Sequence, residues 1–150
     1  MNELTVSKEV LRLQKEVSNL PQYEPKTDHY FADGMYCRSV FRHKGVVVVG
    51  KVHKKEHFYI ISRGKVAVTG CGLDKIYEAG DVIISKPGTK RAVYAMEDSI
   101  CVTVHRISCE SKDIEEIERE LVEEEPESMY SAGNILKVPC VEKEEIKVLE

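Results

Sequence analysis

The chain has 150 residues, 42% of them hydrophobic, and a net charge of −4, which suits one globular domain with a sizeable core. No apolar run approaches the ~20 residues of a membrane span and no charged-then-apolar leader opens the chain, so the expectation is a cytoplasmic protein without a membrane partner. A pI of about 5.8 and the lack of an aromatic–basic stripe exclude nucleic acid as the expected partner.

The charge is unevenly spread. Residues 1–109 carry 17 Lys and Arg against 12 Asp and Glu, while residues 110–150 carry 5 against 14. The body is mildly basic and the tail strongly acidic. A solvated glutamate-rich helix is the plainer expectation, and a contact between acidic tail and basic body is the alternative. The five cysteines, Cys37, Cys71, Cys101, Cys109 and Cys140, form no Cys-x-x-Cys pair and read as thiols of a reducing compartment.

In chain order, Val6, Val10, Leu13, Val17 and Leu20 recur at four- and three-residue steps, which predicts an amphipathic helix over residues 6–19, capped by Thr5 or Ser7 and ended by Pro21 and Pro25. Its narrow apolar stripe suits either a homo-oligomer (dimer) contact or a cover for its own domain. From Tyr36 to Ile107 the pattern changes to short β-branched runs, "MYCRSVF", "GVVVVGKV", "HFYIISRGKVAVT", "KIYEAGDVIIS", "RAVYA" and "ICVTVHRI", separated by glycine turns. Such punctuation predicts a mainly β sandwich or antiparallel barrel. "SKDIEEIERELVEEE" then reads as a second helix, with Ser111 as cap and Pro126 as stop. The closing "GNILKVPCVEKEEIKVLE" reads equally as a strand or a tail. The organisation expected is residues 1–28 as helix and linker, 29–109 as barrel, and 110–150 as acidic helix and tail.

Between Gly50 and Gly64, "GKVHKKEHFYIISRG" contains His-x-x-Glu-His. On a helix that spacing would suit an inverted zinc-protease site. The flanking "VVVVG" and "FYIIS" favour strands, so strand–turn–strand is the expected conformation, with Lys51 and His53 sharing one face of a strand.

In that conformation Gly50, His53, His57 and Gly64 resemble the first motif of the cupin superfamily, the RmlC-like jelly rolls. Gly80 to Arg91, "GDVIISKPGTKR", resembles the second. "GKVHKKEH", "SKPGTKRAVYAMED" and "VTVH" further resemble small uncharacterised cupin-like proteins frequent in bacteriophage genomes, which implies a host cytoplasm as the setting. The resemblance implies an antiparallel jelly roll between the two helices, with a site inside it. Metal-binding cupins place two His and a Glu in the first motif and a His in the second. Lys51 stands where the first His would be, His53 matches the second, His57 stands in the Glu position, and Arg91 replaces the last His.

Two fixed cations among four ligand positions favour an anion over a metal, since arginine does not ligate and lysine ligates only when deprotonated. The expected site is an anion cavity formed by Lys51, Arg91, Lys86 or Lys90, and protonatable His53 and His57. Tyr59 is placed to stack on a ring or donate its hydroxyl, and Tyr94 joins only if its strand bulges. The ligand expected is small and anionic, phosphorylated or nucleotide-like, such as a host nucleotide signal. His53 and His57 would be base and acid if a phosphodiester is cleaved. The alternative is a divalent metal (Fe, Mn, Ni or Zn) on His53, His57 and His105, with an oxygenase or isomerase reaction. His105 enters because Cys101, Thr103 and His105 share a strand face, while His29 is expected in a loop at the mouth. Arg91 pairing with Glu56 or Asp98, or a purely structural module, completes the alternatives.

Overall fold

A computed structural model describes residues 8–70 and 74–137. Thr5, Val6, Ser7, Cys71, Cys140 and the end of the last segment lie outside the described residues.

Nine strands form the body: β1 (Thr27–Ala32), β2 (Met35–Arg42), β3 (Val47–Val49), β4 (His57–Arg63), β5 (Lys65–Thr69), β6 (Lys75–Glu78), β7 (Val82–Ser85), β8 (Ala92–Ala95) and β9 (Ser99–Arg106). They pair antiparallel in two sheets, ordered β1-β2-β9-β4-β7 and β3-β8-β5-β6. This is the mainly β jelly-roll arrangement expected from the runs of valine, isoleucine and tyrosine. Alternation puts Tyr59, Ile61, Val66, Val68, Tyr77, Ile83, Val93 and Cys101 into one buried cluster between the sheets. Full burial of an aliphatic or aromatic side chain contributes roughly 1.5–3 kcal/mol. Gly64 turns the β4–β5 hairpin at φ +85°, and a Cβ there would lie 2.3 Å from Ser99 Oγ and 2.4 Å from the Asp98 carbonyl. The position therefore needs glycine both for its backbone angle and for its space.

Two corrections concern strands. The chain forms β1 before Tyr36, so His29 belongs to a strand and not to a loop. β3 stops at Val49, so Lys51 and His53 do not share a regular strand. Residues 50–53 instead run beside 89–91. Gly50 donates to the Arg91 carbonyl at 3.0 Å, His53 to Thr89 at 2.9 Å, and Gly88 to His53 at 2.7 Å. Gly50 and Pro87 interrupt the ladders on the two sides, and these three bonds take their place.

The first helix, α1 (Lys8–Val17), packs on β3 and β8. Val10 is fully buried, against Gly70, so the apolar stripe covers its own barrel. The second, α2 (Ile114–Leu121), is capped by Asp113, which accepts the Glu115 N–H at 3.1 Å. Ser111, the expected cap, instead accepts from Asp113 N–H. Nor does Pro126 end this helix. Val122 is already extended and bridges to His53. Ile117, Leu121 and Val122 pack on Tyr36 and close one end of the barrel. Beyond α2, β10 (Tyr130–Ser131) and β11 (Ile135–Leu136) form a small hairpin through a 3-10 turn.

The acidic segment keeps a solvated face, with Asp113, Glu115, Glu116, Glu123, Glu124 and Glu127 exposed, and turns three other acids to the body. Glu118 approaches Arg38 at 3.6 Å and Lys51 at 3.9 Å, Glu120 pairs with Lys55, and Glu125 with Lys90 at 2.8 Å. The tail-to-body contact forms beside the solvated face, where basic residues 38, 51, 55 and 90 meet it. Cys37, Cys101 and Cys109 are free thiols. No helix among the described residues is long and apolar enough to cross a membrane.

Candidate metal and anion site

The register of the larger sheet sets its inward side chains in rungs. Tyr36 lies opposite His105, and Phe58 opposite Val104, which puts His57 beside His105; His57 in turn lies opposite Ser85. One rung away, Arg38, Thr103, Tyr59 and Ile83 line up in the same manner. Inward positions along one strand are two residues apart, about 7 Å.

His53 reaches the histidine rung from the segment after β3. His53, His57 and His105 are all buried. Their ring centroids lie 4.3 Å (53–57), 4.1 Å (57–105) and 5.2 Å (53–105) apart. One nitrogen from each lies within 4.8 Å of the others. His53 Nδ1 is 3.2 Å from His105 Nε2, close to the roughly 3.3 Å separating two nitrogens that share a tetrahedral zinc. His57 Nδ1 donates to the Lys55 carbonyl at 3.0 Å. That bond leaves the Nε2 lone pair facing inward, as in histidines oriented for a metal. The His-x-x-Glu-His stretch is therefore a bridge residue followed by a strand, not a helical turn.

Arg91 competes for that lone pair. Its Nη1 donates to His57 Nε2 at 3.2 Å and to Ser85 Oγ at 2.8 Å, and its guanidinium lies 4.1 Å over the Tyr59 ring. Neither Glu56 nor Asp98 pairs with it: Glu56 meets Lys86 at 2.7 Å, and Asp98 accepts the Lys44 N–H. Arg91 has no carboxylate partner among the described residues, and burial pulls its guanidinium below the ordinary value.

Burial, then the Arg91 charge, holds His53 well below the usual imidazole value, and the same two causes lower His57 to about 4. Burial, then His57, lowers His105 to about 3. All three imidazoles are thus neutral at neutral pH. The expectation that His53 and His57 gain protons near pH 6.5 and strengthen an anion site is corrected accordingly. Neutral imidazoles are the metal-competent form, and the three nitrogens fit a divalent transition ion.

A cavity of about 970 Å³ lies between the sheets and opens beneath α1; His53, Tyr59, Arg91, Lys51, Arg38 and Arg42 are in its wall. The other expected ligand contacts separate. Lys86 is exposed on the surface with Glu56 and is not in the wall. Lys90 turns to Glu125. Tyr94 faces outward from a regular strand, half exposed, and borders the cavity from outside the barrel. Arg91 covers a face of Tyr59, whose residue is 3% exposed, so Tyr59 offers its hydroxyl and not a stacking surface. His29 bonds Tyr36 Oη at 2.5 Å, apart from the cluster.

Sequence reasoning missed Arg38 and Arg42. Both alternate inward with Tyr36 and Val40 along "MYCRSVFR", and that period-two pattern was the signal available. Glu118 was also missed. It enters from α2, where a glutamate looks like any other solvent-facing residue.

No protein-family model and no curated protein matches the chain. Solved structures match it in shape. An RmlC-like cupin from Shewanella frigidimarina superposes with a TM-score of 0.50 at 18% identity, over 59% of this chain and 81% of the other. The DMSP lyase DddQ from Ruegeria pomeroyi superposes with a TM-score of 0.50 at 15% identity, over 59% of this chain and 49% of the lyase; the chain accounts for about half of that protein's length. The likeness is one of fold, the cupin jelly roll.

Proposed function

We propose that this chain is a metal-dependent cupin-fold protein in which His53, His57 and His105 hold a divalent transition metal beside a cavity for a small anionic molecule. The observation that carries this reading is the convergence of three buried, neutral imidazoles from three separate segments, with donor atoms within 4.8 Å. Three nitrogen ligands with further positions open is the donor set of catalytic zinc and related sites. When bound, such an ion polarises a ligand oxygen or lowers the pKa of a water. The chain's own groups do the rest. The Lys55 carbonyl orients His57. Ser85 holds Arg91, and Lys51 and Arg38 at the wall attract an anion. The same fold supports a lyase in the Ruegeria protein.

The test is metal content of protein purified without added metal, followed by calorimetric titration with Zn(II), Mn(II) and Ni(II). One equivalent in the wild type, lost in His105→Ala and in His53→Ala with circular dichroism unchanged, is the expected result. A wild type that takes up no stoichiometric metal, or variants that retain it, overturns the reading.

A second reading, a metal-free anion binder, is favoured by the bond from Arg91 Nη1 to the His57 lone pair. The ligand would then be held by Arg91 and Lys51. Phosphodiester cleavage by a histidine pair fits poorly, because His57 at about 4 carries no proton to give at neutral pH. A nucleotide-like ligand would bind through its phosphate, since Tyr59 has no free face for a base.

A further inference from the structure

Beyond the histidine rung the cavity wall carries buried polar atoms whose hydrogen bonding is incomplete among the described residues. Arg42 Nε is sealed from solvent without a well-formed hydrogen bond, and so are Tyr23 Oη, Tyr59 Oη and Thr103 Oγ1; the nearest groups are weak partners, the Cys101 thiol beside Arg42 and Tyr59 and the His43 backbone beside Tyr23. All four residues line the same cavity. Buried polar atoms are almost always bonded, and buried charges almost always paired. Glu118 answers Arg38 and Lys51, and Glu125 answers Lys90. Among the described residues no carboxylate comes within ion-pair distance of Arg42 or Arg91. A guanidinium can only donate, and three hydroxyls can each donate. A ring of donors with uncompensated positive charge is complementary to an oxyanion. Between this cluster and the opening the wall is apolar, with Val40, Val47, Val49 and Val93.

We propose that Arg42, with Tyr23, Tyr59 and Thr103, forms an oxyanion subsite that takes the carboxylate or phosphate group of the small molecule, whose remainder lies along the valine wall toward His53. The proposal rests on the anionic ligand of the preceding section but not on the metal. Thr103 lies one rung from His105 on the same strand, so an oxyanion held at the Thr103 end of the subsite leaves about 7 Å to the histidine rung. Short dicarboxylates and phosphate esters of small polyols have that length. Tyr59 joins the two cations: its ring carries Arg91 and its hydroxyl points into the Arg42 cluster.

The experiment measures binding of inorganic phosphate and of succinate, by calorimetry and by thermal shift, to wild type, Arg42→Met, Tyr59→Phe and the surface control Lys86→Met. Wild type and Lys86→Met are expected to bind at least one probe, and the preferred probe separates a phosphate from a carboxylate ligand. Arg42→Met is expected to bind it at least about tenfold more weakly, because a charge-assisted bond is lost. The probe-free melting temperature of Arg42→Met is expected to be equal to or above wild type, since an unpaired buried charge is removed. Tyr59→Phe keeps the fold and weakens binding several-fold. A wild type that binds neither probe, equal binding by Arg42→Met, or a probe-free melting temperature lowered by that substitution overturns the proposal. Metal content separates this result from the metal reading: Arg42→Met retains every histidine, and His105→Ala retains every donor of the subsite.

Discussion

At the rung closed by α2, Tyr36, His105, His57 and Ser85 stand in a row with His53 across from them, and the polar groups answer one another except for His105 Nδ1, which has no partner among the described residues. His57 is bonded on both nitrogens, His53 meets His105, and burial keeps the rings uncharged. One rung away stand Arg38, Thr103 and Tyr59, with Arg42 farther along β2 opposite Ser99, and there Tyr59 Oη, Thr103 Oγ1 and Arg42 Nε have no well-formed hydrogen bond among the described residues. Both regions are buried and both are polar. They differ in that imidazole can shed its proton to escape the cost of burial, whereas guanidinium cannot. The first region therefore stands as neutral donors ready for a cation, and the second as fixed charge that calls for an anion.

The sharpest way to break this comparison is to remove a histidine and follow both ligands. His105→Ala should lower metal affinity by about 100-fold or more, since even outer-shell changes at metal sites cost roughly 10–100-fold, while phosphate or succinate binding stays near wild type. Calorimetric titrations with Zn(II) and with the anion decide it; parallel losses would mean one site and not two.

Arg91 sits on the boundary, so one substitution should act with opposite signs. Arg91→Met is expected to weaken anion binding about tenfold and to strengthen Zn(II) binding several-fold, by freeing His57 Nε2 and removing a neighbouring positive charge. Arg91→Lys should keep part of the anion affinity, as charge remains without the paired donors. Competition titrations with a chromophoric chelator read the metal side.

A pH series separates the regions again. With metal removed by chelator, the folded protein keeps His57 neutral down to about 4 and His105 down to about 3, while the unfolded chain takes up those protons below about pH 6.5. The unfolded state binds more protons in that window, so stability falls as pH drops from about 6.5 toward 4 and is level above it. A loss of roughly 5 °C or more in melting temperature across that range is expected by scanning calorimetry. Arg42 does not titrate there and contributes no slope. A melting temperature flat from pH 7 to 4.5 would mean that the histidines are not buried neutral.

The smallest effect concerns Glu118, the acid that approaches Arg38 and Lys51. Glu118→Gln should strengthen anion binding about two- to threefold at low ionic strength, with the gain fading in high salt as screening grows.

Much of this molecule was legible in the chain. Alternating β-branched runs punctuated by glycine gave a sandwich or barrel, the motif resemblance narrowed it to a jelly roll, and Gly64 was marked by that motif before its turn showed why no other side chain fits. The pairing of His53 with His57 came from the resemblance to the first cupin motif, and the entry of His105 from strand alternation, a local property. Arg38 and Arg42 obeyed the same rule on β2, but nothing local distinguishes an inward arginine from an outward one, because an extended strand offers both faces until a second sheet covers one. The acidic segment shows the same limit. Its charge was evident, yet which glutamate would meet Arg38 and Lys51 depended on where α2 stops, and Val122 stops it by bridging to His53 and not through Pro126. The sequence by itself determined most of the strands, both helices, and the histidines and Arg91 as residues able to do chemistry, but not β1, the end of β3, or the inward Arg38 and Arg42. Only the tertiary structure decided which of them lost their water, and with it that the histidines are neutral and that Arg42 and Arg91 meet no carboxylate among the described residues, because protonation and ion pairing depend on burial and on neighbours distant along the chain.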